Sequence, residues 1–170
     1  MRKLIAVASA AVLVLVIAAP VGGSPASRIY FEGLLHSCSE GPPDSINVTP
    51  GGTVHIKGFT NTNQWATGNA LIDGVENNVV FVSVNFKTTV VRLDITLAPD
   101  AYPGSTWEIM QAAQFRPDGS LVADGVGHGT GALRGMTIKF TVHPDNPVFL
   151  DNPCAPGAPS FPLSGVIISP

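Results

Sequence analysis

The chain has 170 residues, 45% hydrophobic and only 12% charged, which is enough apolar material for one packed domain and too little charge for a disordered one. Twelve acidic side chains face nine basic ones, and two of the nine, Arg2 and Lys3, sit in a segment expected to be removed, leaving seven. An acidic surface without a Lys/Arg cluster repels polyphosphate and anionic lipid, so nucleic acid and charge-driven membrane adhesion are disfavoured as partners.

Residues Met1 to Ala26 read as an export signal. Arg2 and Lys3 form the positive start, and Leu4 to Ala19 form an apolar run broken only by Ser9. That run falls short of the roughly 20 residues a membrane-spanning helix needs; an uncleaved anchor is the alternative. Ser24-Pro25-Ala26 offers the small-x-small pattern of a cleavage site, so removal after Ala26 is expected, with Gly23 as the alternative. No cysteine lies near the boundary to carry a lipid. The expected product is secreted or held in the cell envelope, without membrane contact in its mature form.

Strand signals then follow almost without interruption. Arg28 to Leu35 opens the domain. Ile46 to Thr49 and Thr53 to Phe59 flank Pro50-Gly51-Gly52 as a β-hairpin. Asn61 to Thr67 is polar and reads as a loop carrying Trp65; Ala70 to Val75 reads as a short strand, and Asn77-Asn78 as a turn before a strand over Val79 to Phe86. Val91, Leu93, Ile95 and Leu97 alternate with Arg92, Asp94 and Thr96, which predicts a strand with the first group facing the core. Ser105 to Phe115 is the next strand, followed by an Arg116-Pro117-Asp118-Gly119 turn and strands over Leu121 to Gly131 and Leu133 to Val142. From His143 onward, prolines interrupt the pattern and predict an extended tail packed on the domain, with Leu163 to Ile168 as an edge strand.

The only two cysteines, Cys38 and Cys154, are expected to form one disulfide in an exported chain, tying this tail to the first strand across 116 residues. A reactive Cys38 beside His36 is the alternative. Many short strands without βαβ alternation predict an all-β fold, a single antiparallel β-barrel over residues 27–142, or alternatively a β-sandwich. Gly125, Gly127, Gly129 and Gly131 alternate and leave one strand face bare, which suits sharp coiling, a facing aromatic such as Trp107, or a closely approaching ligand.

The segments Gly52-Thr53-Val54-His55-Ile56-Lys57-Gly58, Ser105-Thr106-Trp107-Glu108 and the run from Gly127 to Met136 together resemble small secreted bacterial β-barrel proteins of uncharacterised function. The last run is similar, more loosely, to the Gly-Thr-Gly strand of the allene oxide cyclase and dirigent type of barrel. The resemblance spans residues 46 to 142 and implies a closed antiparallel barrel with an interior pocket. It supplies no catalytic residue, because no active-site motif of those families matches a position here.

His36, His55, His128 and His143 lack the spacing of metal ligands, and neither a Gly-x-Ser-x-Gly elbow nor a nucleotide-binding glycine motif occurs, so no metal, cofactor or catalytic residue is expected. Trp65, isolated in a polar stretch, Trp107, Gly127, Gly129 and Gly131 are the candidate ligand-binding residues. The function expected is non-catalytic binding of a small apolar molecule inside the barrel. Two alternatives stand beside it: a structural or protein-interaction module of the envelope, with a filled interior, and an isomerase- or cyclase-like enzyme, with ionisable groups converging inside.

Overall fold

The computed structural model describes residues 26–84, 89–115, 121–149 and 152–170; all but the last residue of the expected export signal, Met1 to Ala26, and the turn expected at 116–119 lie outside the described residues. Nine strands follow in chain order: β1 Ser27–Glu40, β2 Ser45–Val48, β3 Val54–Ala66, β4 Gly74–Val84, β5 Thr89–Pro99, β6 Trp107–Phe115, β7 Leu121–Gly129, β8 Thr137–Val142 and β9 Ser160–Ser169. Each strand from β3 to β9 pairs antiparallel with the next, and β1 pairs with both β9 and β3. The sheet therefore closes into an eight-stranded up-and-down barrel, not a sandwich, and β2 is the ninth strand outside the ring.

β1 closes the ring by using its two halves on different edges. Residues from Ser27 to His36 pair with β9, while Leu34 to Glu40 pair with β3. β2 continues along the same edge of β3, pairing Ser45 with Lys57 and Val48 with Val54. β3 accommodates this through a bulge between Ile56 and Phe59, where Gly58 adopts φ +73°. A side chain there would meet the Asp44 carboxylate at 2.0 Å as well as a backbone conformation that L-residues avoid.

Four expectations change. The polar stretch from Asn61 to Ala66 is part of β3, with Asn61, Asn63 and Trp65 pointing inward, and Asn77-Asn78 lies inside β4 instead of forming a turn. Ala70 to Asp73 is a turn, in which Ile72 and Asp73 donate backbone N–H bonds to the Asn69 carbonyl, and β4 begins only at Gly74. The C-terminal segment is no edge: β9 lies between β8 and β1, so the extended tail is confined to the stretch before Ser160. Pro162 is tolerated just past the end of β8: its carbonyl accepts from His143, and the His143 carbonyl, to which a residue-162 N–H would have donated, accepts from Asn146 instead.

One end of the barrel is capped by the 67–73, 100–106 and 130–136 connections. Ile72, Leu97, Trp107, Leu133, Ile138 and Ile167 there are 0% exposed. Trp107 Nε1 donates to the Leu71 carbonyl at 2.8 Å, and Asp73 accepts the backbone N–H groups of Thr67 and Gly68 at 2.7 and 2.8 Å, which ties the cap to the wall. Glycines leave room for this packing. A Cβ on Gly125 would come within 2.3 Å of the Phe140 ring, and one on Gly129 within 2.2 Å of the Leu133 carbonyl oxygen.

At the other end the Cys38–Cys154 disulfide is formed, with a Cα–Cα distance of 5.1 Å. Asn152 Nδ2 donates to the Ser37 carbonyl at 2.7 Å, and Ser37 donates to the Pro159 carbonyl at 3.2 Å. The tail thus covers the edge of β1 that β9 does not reach. Such a covalent link fits an oxidising compartment.

Replacing both cysteines, C38S/C154S, is expected to lower unfolding free energy by up to about 4–5 kcal/mol, the loop-closure value for so long a loop, in urea denaturation of the oxidised wild type and the variant. G129A is expected to cost about 1–3 kcal/mol in the same assay, because a backbone carbonyl cannot swing aside. G51A, whose Cβ would have no neighbour nearer than 3.9 Å, is expected to be close to neutral.

Candidate functional site

Cross-strand register defines the barrel interior row by row. Asn63 faces Glu76, Asn61 faces Asn78 with Ile95 and Ile109 beyond, and Phe59 faces Val80 with Leu93 and Gln111 beyond. Trp65 is 1% exposed and packs edge-on against Phe140, ring centroids 4.8 Å apart, with Phe31 at 6.3 Å.

A polar layer crosses this apolar interior. Glu76, 2% exposed, accepts from Asn63 Nδ2 at 2.8 Å and Asn78 Nδ2 at 2.7 Å on one oxygen, and from Trp65 Nε1 on the other. The five basic residues among those described, Arg28, Lys57, Arg92, Arg134 and Lys139, are all exposed, and the ion pair found among the described residues joins Arg92 to Asp94. Neutral donors therefore hold the carboxyl group in place of a buried cation.

Glu76 also fixes its neighbours. The Asn78 amide must turn its NH2 toward the carboxyl oxygen, which sends its carbonyl oxygen the other way. That Oδ1 and the Oδ1 of Asn61, its cross-strand partner, are buried without a hydrogen-bond partner among the described residues. Each such acceptor costs about 1–3 kcal/mol. Asn78 is only 3% exposed and Gln111 only 5%, so this layer is shielded from solvent in the structure.

Beyond it, away from the cap, the inward apolar side chains of β3, β4 and β5 lose part of their cover, whereas Ala113, Ala123, Val142 and Leu163, farther round the same row, stay buried. Val54, Ile56, Phe59, Val82, Val84, Val91 and Leu93 are all only partly buried although they face the interior. Together they form an apolar cup whose floor is the Phe59, Val80, Leu93 and Gln111 row, with the two unpaired carbonyl oxygens in the next row down.

Two further features lie outside the interior. A groove of about 1210 Å³ runs over the outer face of β3 to β7, across Thr62, Val79, Arg92, Asp94, Met110 and His128. Met110 is 58% exposed there and Val126 46%. His36 Nδ1 meets Ser160 Oγ at 2.7 Å, but Ser160 is 0% exposed, and desolvation pulls the His36 pKa below 6.5. With both side chains buried, this pair is a packing contact between β1 and β9.

Of the five residues singled out by sequence, Gly127 and Gly129 share one strand face as expected, with Trp107 the cross-strand partner of Gly129, but none meets a ligand site. Trp65 is not at a mouth but inside, bonded to Glu76. Trp107 belongs to the cap. Gly127 and Gly129 face inward, but Ile109, Ile138 and Leu133 fill the space above them, and Gly131 leaves the strand for a short 3-10 turn with φ +56°. None of the five lines the cup. Sequence reading missed Asn61, Asn63, Glu76 and Asn78, although Asn-x-Asn-x-Trp and Glu-x-Asn both carry the two-residue period of a strand.

Glu76→Leu is expected to strip three buried donors of their acceptor at once and to destabilise the protein by about 3 kcal/mol or more, read by denaturation, while shifting the emission of Trp65. No protein-family model matches this chain, and no curated protein or solved structure matches it.

Proposed function

We propose that the chain is an exported binding protein without catalytic activity that takes a small apolar molecule into the end of its barrel opposite the cap. The observation that carries this reading is the contrast between the inward side chains under the cap and those that β3, β4 and β5 present at the other end. Those under the cap are sealed at 0 to 1% exposure, whereas the cup residues from Val54 to Leu93 present apolar surface that water still reaches. Burying that surface in a ligand is favourable by about 25 cal/mol for each Å² removed from water. The disulfide supports an extracytoplasmic setting.

Binding fits this interior better than catalysis. Glu76 is the described ionisable group at its centre, and three donors already occupy most of its roughly four lone-pair directions, so its oxygens are committed to the fold. A second reading, a protein-interaction module, is favoured by the outer groove, where Val79, Val90, Met110 and Val126 are between 38 and 58% exposed.

Nile red fluorescence separates the two. Saturable enhancement is expected for the wild type and for M110S, and loss of enhancement for V82W, which fills the cup from the inside. Enhancement that M110S abolishes and V82W spares would assign binding to the outer groove instead.

A further inference from the structure

We infer that the ligand is an apolar molecule with a hydrogen-bond donor at its leading end, a hydroxyl or an amine and not a carboxylate, which it delivers to the carbonyl oxygens of Asn61 and Asn78. This rests on the barrel-binding reading above and adds the chemistry of the ligand to it.

Three observations converge. Asn61 and Asn78 are cross-strand partners in the β3–β4 pair, and the Oδ1 of each is buried and lacks a donor among the described residues. Asn78, only 3% exposed, cannot relieve its oxygen by turning its amide over, because its Nδ2 is committed to Glu76 at 2.7 Å and a turned amide would set oxygen against a carboxyl oxygen. The described basic residues are all exposed, so this part of the barrel interior is rich in acceptors and carries a carboxyl group without a cation. A donor entering here pairs acceptors that no described group pairs in this arrangement; a carboxylate would add a third unpaired acceptor beside them.

The path to these oxygens runs through the cup. Phe59 and Leu93 occupy the row directly above Asn61 and Asn78 and are themselves only partly buried, so they are the side chains that must swing for a ligand to reach the polar layer. The apolar body of the ligand then lies along Val82, Val91 and Leu93. The ligand class is accordingly an aliphatic or alicyclic alcohol or amine, with a single polar end.

The test uses the oxidised full-length mature protein and three matched probes, 1-octanol, 1-octylamine and octanoate, each titrated against Trp65 emission and against displacement of Nile red, which carries no hydrogen-bond donor. The alcohol and the amine are expected to bind with dissociation constants at least about tenfold below that of octanoate. N78L is expected to bring the three probes to similar affinity while Nile red still binds. Should N78L fail to fold, N61L, at a less buried position, serves the same purpose. Nile red binding with octanoate equal to the alcohol, or an unchanged preference in a folded N78L or N61L, would overturn the donor inference and leave barrel binding standing. Failure of Nile red and of all three probes to bind would overturn both.

Discussion

Hydrogen bonding along both edges of β1 is the constraint on which the rest depends, because without it the sheet has two open edges and no interior. β1 meets β9 through its first half and β3 through its second, a stagger that forces the strands to tilt around the ring. It also leaves a gap where β9 has not begun, and this is where Asn152 and the Cys38–Cys154 bridge attach the tail. The disulfide and the closing strand thus solve one problem together. The bridge restrains the unfolded chain across most of its length, and in the folded state it holds the tail against the edge that backbone pairing leaves uncovered.

Once an interior exists, every inward group must be satisfied within it. The capped half does this with packing: two tryptophans, each giving its N–H to a defined acceptor, and glycines under Phe140 and the Leu133 carbonyl. The middle does it with Glu76, which collects donors from three neighbours. Satisfying that carboxyl group is also what orients the Asn78 amide, so the unpaired oxygens of Asn61 and Asn78 are a consequence of the same network that stabilises the layer. A fully satisfied network would be purely structural. This one leaves buried acceptors without a described partner in the row next to the less covered side chains of β3 to β5, which links the packing of the interior to the proposal that it binds a ligand there.

Much of the architecture is legible in the sequence where inward residues are apolar and outward residues polar. β5 follows from the alternation of Val91, Leu93, Ile95 and Leu97, the β2–β3 hairpin from its Pro-Gly-Gly turn, and the disulfide from an even cysteine count in a chain whose start reads as an export signal. The pattern fails where polar side chains point inward. Asn61, Asn63, Asn77 and Asn78 read as loop and turn because asparagine favours turns in isolation, yet three of them serve the Glu76 layer, an arrangement set by strands folding back on one another and invisible in local propensity. Trp65 misled for the same reason: its flanks are polar because they serve that layer. β9 was obscured by Pro159 and Pro162, which local rules place at edges, whereas here one precedes the strand and the other sits where its neighbour has ended. The glycine ladder announced a bare strand face, but its filling comes from side chains of β6, β8 and the β7–β8 connection.

A crystal structure of the oxidised mature protein grown with 1-octanol is the most direct measurement. It should show the alkyl chain along Val82, Val91 and Leu93, with the hydroxyl within hydrogen-bonding distance of Asn78 Oδ1 and the Glu76 network unchanged. Octanol bound only in the outer groove around Met110, with the interior closed over Asn61 and Asn78, would contradict it.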